Sequence, residues 1–134
     1  MLAAAAFLAT VEGGNGRMGA IGFCYGGAIA NFLATRLPDL RAAVPFYGSG
    51  APLADVPAIN AELLVVLASD DERVNAGWPA YEAALKAAGK TYTLLQPADT
   101  LHGFHNDTTP RYAPEAAKQA WQASLALFGR TLKG

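Results

Sequence analysis

A lone cysteine, two adjacent aspartates and a histidine occur in this sequence in an order that suits covalent acyl chemistry. The cysteine sits in Gly22-Phe23-Cys24-Tyr25-Gly26-Gly27, between a short apolar run and a helix-compatible segment. A nucleophile flanked by small residues at such a strand-to-helix turn is an elbow. Glycines are placed there because the backbone is too crowded for side chains, and the central side chain is projected out of the sheet. The following helix also aims N–H groups and its dipole at the sulfur, which favours a thiolate.

His102, in Thr100-Leu101-His102-Gly103-Phe104, is the candidate base that takes the thiol proton. His105 is its competitor. The turn Ser69-Asp70-Asp71-Glu72-Arg73 carries the candidate acid, whose carboxylate would hold the imidazole Nδ1–H and fix the tautomer. Spacing alone does not separate Asp70 from Asp71, and Glu72 and Arg73 read as an exposed pair of little energetic worth. Phe23, Tyr25, Tyr47 and Phe104 lie next to these reactive segments in sequence and are expected to line an apolar pocket, with the core as an equal alternative for Phe23. Trp78, Tyr81, Trp121 and Phe128 fall on helical stripes and are expected to pack instead.

The elements that must position these groups follow from hydrophobic periodicity. Residues 1–10 read as a short helix, ended by the loop Glu12 to Gly16. Residues 18–23, 42–47, 63–68 and 91–96 read as strands, and the uninterrupted apolar run Leu63 to Ala68 suits a parallel strand covered on both faces. Helices are expected after the elbow to Leu37, from a cap at Asn75 through Pro79 to Gly89, and from Pro114 to Gly129. Strands alternating with helices define an α/β chain with a parallel sheet, and reactive residues in such sheets collect beyond the carboxyl ends of the strands.

At 134 residues the chain is expected to be one domain, 1–134. With 52% hydrophobic and 16% charged residues it must bury a core. Ten basic residues against eleven acidic ones, with no basic run, argue against a nucleic-acid partner. One cysteine cannot close an intrachain disulfide, and no Cys/His spacing suggests a metal. No apolar stretch has the length of a membrane span, and the start lacks the pattern of a secretory signal, so a cytoplasmic location is the default expectation.

Taken together, Gly-Phe-Cys-Tyr-Gly-Gly, Asp-Glu-Arg-Val-Asn-Ala-Gly and His-Gly-Phe-His-Asn-Asp make the chain resemble the dienelactone hydrolase, or carboxymethylenebutenolidase, family. The resemblance implies an α/β-hydrolase fold reduced to its C-terminal half, with about four mostly parallel strands flanked by helices. It also implies an enzyme without cofactor that cleaves an ester or lactone. Carried over by position, Cys24 is the nucleophile, His102 the base and Asp71 the acid, since the family aspartate stands three residues before the position of Val74. The backbone N–H of Tyr25 would supply half of the oxyanion hole, and Phe23, Tyr47 and Phe104 would contact substrate. Members of this family are longer, and the part before the nucleophile strand would hold the first strands, the second oxyanion N–H, an activating glutamate and a substrate-binding arginine. Asn106 stands four residues after His102, where lactone-specific members have arginine.

A sheet without those first strands would expose strand 18–23, so a homo-oligomer or a partner chain covering that edge is expected. The alternative to an active hydrolase is an impaired remnant or subunit that needs a partner to complete its site. A third reading, a redox-sensing cysteine, would not depend on His102 or Asp71.

Overall fold

The computed structural model describes residues 1–133. In chain order the elements are α1 (Leu2–Leu8), β1 (Met18–Phe23), α2 (Tyr25–Arg36), β2 (Leu40–Phe46), a 3-10 turn (Leu53–Ala58), β3 (Glu62–Val66), α3 (Glu72–Asn75), α4 (Trp78–Ala87), β4 (Tyr92–Leu95) and α5 (Pro114–Leu132). The strands form one parallel sheet in the order β1-β2-β3-β4.

Two apolar layers account for the strand sequences. On one face Leu63, Val65 and Leu67 pack with Leu40, Ala43, Val56, Ile59 and Leu85. On the other, Leu64, Val66 and Ala68 pack with Val44, Phe46, Ala120 and Leu127 of α5. Because both faces of β3 are covered, alternation disappears and every position from 63 to 68 is apolar. β1 differs: it pairs only with β2, and Ile21 and Phe23 are left exposed at the sheet edge. Among the described residues no helix is long and apolar enough to cross a membrane.

The structure departs from the periodicity in places with identifiable causes. The helix expected from a cap at Asn75 starts instead at Trp78, and Asn75 is the last residue of a separate short helix, α3. Its side-chain amide donates to the carbonyls of Ala68 (2.8 Å) and Ser69 (3.4 Å), so it braces the end of β3 instead of capping α4. Pro79 keeps its place in the first turn of α4, and Gly89, at φ 67°, lies just beyond that helix's last residue. Gly129 does not end α5, which runs on to Leu132; there Asn15 Nδ2 donates to the Leu132 carbonyl and Arg17 to that of Lys133. These bonds satisfy carbonyls that a helix leaves open at its end. Glu72 and Arg73 form no ion pair; the described ion pairs instead include a two-pronged contact between Arg130 and Glu62 (2.7 and 2.8 Å).

Candidate active site

The turn after β1 is held by close backbone approach. A Cβ on Gly22 would meet the Gly26 carbonyl oxygen at 1.9 Å, and one on Gly27 the Phe46 carbonyl oxygen at 2.5 Å. Side chains are sterically impossible at those two positions. Gly26 is different, since a Cβ there meets nothing within 4 Å and crowding does not explain it. Between the two tight glycines Cys24 adopts φ 56°, ψ −119°, and its N–H donates to the Phe46 carbonyl at 3.1 Å. A non-glycine residue in this region stores strain of order 1–3 kcal/mol, and such strain concentrates at functional sites. Cys24 occupies the N-cap of α2 and is exposed. Tyr25 is the first residue of that helix, so its N–H is among those a helix leaves without an internal partner; its side chain points into solvent.

The second half of the arrangement comes from the loops after β3 and β4, which are stitched together. Ser69 N–H donates to Thr100 Oγ1 and Thr100 N–H to Ser69 Oγ, both at 2.9 Å, and Asp70 N–H donates to the Thr100 carbonyl at 2.9 Å. Asp70 bridges Leu101 in parallel register, which puts the next residues along, Asp71 and His102, beside each other. Asp71 is buried at 8% exposure; one carboxylate oxygen caps α3 at Val74 N–H (3.4 Å), and the other lies 2.6 Å from His102 Nδ1. Asp70 is exposed and makes no side-chain contact of this kind. Spacing leaves both aspartates open; this register sets Asp71, and not Asp70, against the imidazole.

Tyr47 joins the halves. It follows β2 at φ 37°, donates its N–H to the Val66 carbonyl at 2.7 Å, and is 2% exposed. Its ring centroid is 5.0 Å from that of His102 and 5.5 Å from that of Phe104. Burial, reinforced by Cys24, pushes the Tyr47 hydroxyl up to about 12, against smaller opposing effects of the His105 backbone and Arg111. It therefore stays protonated across the ordinary pH range.

Phe23 and Tyr47 line a cleft that Cys24 opens into. Phe104 does not. It is fully buried behind Tyr47, its N–H donating to the Leu101 carbonyl and its own carbonyl accepting from Ala113, so it shapes the loop without facing the cleft. The cleft has further walls: Arg111, which the sequence did not single out, His105, weighed there only as a competing base, and Trp121, read there as a packing residue. Trp121, expected to pack within the core, is 42% exposed there. His105 sits among aromatic rings, with centroids 5.1 Å from Phe23, 5.3 Å from Phe46 and 5.7 Å from Trp121. Burial pulls its pKa down, and Asp107 partly offsets that. Among the described residues no carboxylate pairs with it, whereas His102 has Asp71. Among them also, no group of three or more His, Cys, Asp or Glu side chains converges as a metal site would require.

A strained cysteine elbow after the first strand of a parallel sheet, with an aspartate after the third strand and a histidine after the fourth, has the layout of the α/β-hydrolase fold. The dienelactone hydrolase family model matches residues 1–132, and the chain belongs to that family. A relative from Saccharolobus solfataricus, assigned as a carboxymethylenebutenolidase, is 33% identical over 114 residues, covering 84% of this chain and 44% of the relative. The crystal structure of a protein from Klebsiella pneumoniae subsp. pneumoniae, assigned as a dienelactone hydrolase, superposes with a TM-score of 0.86 at 28% identity, over 95% of this chain and 57% of the other. A dienelactone hydrolase-like promiscuous phosphotriesterase from metagenomic libraries gives a TM-score of 0.76 at 26% identity, over 86% and 52%. The chain spans about half the length of the curated relatives it matches.

Proposed function

We propose that this chain carries the reactive half of a cysteine-dependent ester or lactone hydrolase, in which Cys24, His102 and Asp71 act as a triad. The observation that carries the reading is the 2.6 Å contact between His102 Nδ1 and buried Asp71, at the same end of the parallel sheet as a strained, exposed Cys24. Asp71 holds the Nδ1 proton, which leaves His102 Nε2 free to accept the Cys24 proton. The sulfur then attacks the acyl carbon, and the carbonyl oxygen takes up negative charge beside the Tyr25 N–H. Collapse breaks the bond to the alcohol oxygen, which leaves with the proton from His102, and a thioester on Cys24 remains. Water attacks that thioester, giving its proton to His102. The carboxylic acid departs and Cys24 recovers its hydrogen.

Turnover of a small activated ester and of an unsaturated lactone, compared between the chain and Cys24→Ala, tests the reading. Hydrolysis that depends on Cys24 is expected, and equal turnover in both proteins overturns it.

The exposed edge supports a further part of the proposal: the working form is a homo-oligomer, or a complex in which a partner covers β1. β1 is unpaired on one side, and an apolar groove beside it is lined by Leu8, Val11, Met18, Ala20, Leu33 and Leu37. An unpaired edge of this kind is a template for another strand. If the missing partner also supplies an oxyanion donor, the chain alone is an impaired subunit, slower by about 100 to 1,000-fold. Light scattering of an active preparation is expected to show an assembly; a fully active, monodisperse monomer contradicts this part.

A further inference from the structure

We propose that Trp121, held by His105, is the specificity-determining wall of the Cys24 cleft and selects substrates with a flat aromatic group near the scissile carbonyl. The inference rests on Cys24 being the nucleophile and deepens that reading by naming a substrate class. Trp121 lies on α5 at the margin of its packed face: Leu127 is buried and Phe128 packs against the second core layer, whereas Leu125, one turn on from Trp121, is 53% exposed. Trp121 instead keeps 42% of its surface open, in the same cleft as the sulfur. A large aromatic side chain left open in a cleft is a binding surface waiting for a partner of its own kind.

Its orientation is fixed from behind. The Trp121 ring is tilted 44° to His105 at 5.7 Å, and His105 is tilted 35° to Phe23 at 5.1 Å. Phe23 immediately precedes Cys24 and lies 4.6 Å from buried Phe46. A row of rings therefore runs from α5 to the elbow. A planar ligand group can add to that row by offset or edge-to-face contact, which a saturated group of equal size cannot do. The depressed pKa of His105 keeps its imidazole uncharged near neutral pH, so the row is apolar in character where it meets the ligand. Such ring contacts are worth about 0.5–1.5 kcal/mol beyond area burial, a preference of roughly twofold to tenfold for the aromatic member of a matched pair.

Alkylation of Cys24 reads this preference without requiring turnover, and the chain has no second cysteine to confuse it. The probes are 2-bromoacetophenone and its saturated counterpart, bromomethyl cyclohexyl ketone. In each the thiol gives its proton to solvent, the sulfur forms a bond to the methylene carbon, and the carbon–bromine bond breaks with loss of bromide. The ratio of the two rates, corrected for that of a free thiol, is expected to exceed one in the native chain. It should fall to about one in Trp121→Ala and be retained in Trp121→Phe and in the distant control Trp78→Phe. Because Trp121 is partly exposed, the alanine variant is expected to keep the native circular dichroism. An unchanged ratio in Trp121→Ala, or equal slowing of both probes, overturns the inference. A chain that alkylates with the predicted ratios yet hydrolyses no ester, in any assembly, would keep the aromatic preference of the Cys24 cleft and overturn the hydrolase reading.

Discussion

Asp71→Asn, set beside Asp70→Asn, is the sharpest perturbation of the proposed triad. The two residues are neighbours and bear the same charge, but only Asp71 is buried and bonded to His102. A hydrogen bond to a charged group contributes about 1.5–3 kcal/mol. Loss of orientation alone therefore slows the reaction by roughly tenfold to 150-fold, from that energy at 1.4 kcal/mol per decade. An asparagine can also present its amide N–H to Nδ1, which stabilises the wrong tautomer and takes Nε2 out of use as a base. In the serine-protease template the same change lowers kcat about 10⁴-fold. We expect a loss in kcat/KM of about 10²–10⁴-fold for Asp71→Asn. Stability should change little, because asparagine is as good an N-cap as aspartate for α3. Asp70→Asn should change kcat/KM by less than about twofold, as a surface substitution away from any special feature. The assay is hydrolysis of a p-nitrophenyl ester, with a urea titration of each variant. Native-like turnover in Asp71→Asn, or an equal loss in Asp70→Asn, would refute the assignment of the acid.

Other substitutions probe how the site is held. Gly22→Ala drives a Cβ into the Gly26 carbonyl, so it should displace the elbow and abolish Cys24 reactivity, whereas Gly26→Ala meets open space and should leave both fold and alkylation rate intact. Tyr81→Phe removes the hydroxyl that donates to buried Asn31 Oδ1 at 3.0 Å, leaving that oxygen unpaired; chemical denaturation should show a loss of about 1–3 kcal/mol. His105 binds protons less readily in the folded chain than in the unfolded one, first because it is buried. Its contribution to stability is therefore complete above the unfolded value of 6.5 and declines as pH falls from there toward the lowered folded value. Thermal melts of His105→Gln should show a shallower decline than the native chain as pH falls below 6.5, and an equal or steeper one would contradict the buried, neutral imidazole.

Much of this architecture is legible in the residues, for physical reasons. A run apolar at every position cannot be half-exposed, so Leu63 to Ala68 announces a strand covered on both faces. The elbow is legible because only glycine tolerates the approaches at residues 22 and 27. Which aspartate meets His102 was not legible from spacing, because the pairing is set by the parallel bridge between Asp70 and Leu101 and by the crossed bonds of Ser69 and Thr100. Helical periodicity says that Trp121 shares a stripe with core residues, but not that the stripe passes beyond the sheet and over the cleft. Phe104 illustrates the converse, since adjacency in sequence to His102 does not decide which way a side chain turns in a tight loop. Asn75 misled for a similar reason: its amide was free to cap a helix but is spent on the carbonyls that end β3.

The central claim is that an acyl group passes through the Cys24 sulfur. Intact-mass spectrometry of the chain, quenched in acid during reaction with a p-nitrophenyl ester, tests it most directly. One added acyl mass is expected, located on the peptide that contains Cys24, removable by neutral hydroxylamine as a thioester is, and absent from Cys24→Ala. Ester hydrolysis with no adduct on Cys24, unaffected by Cys24→Ala, would contradict it.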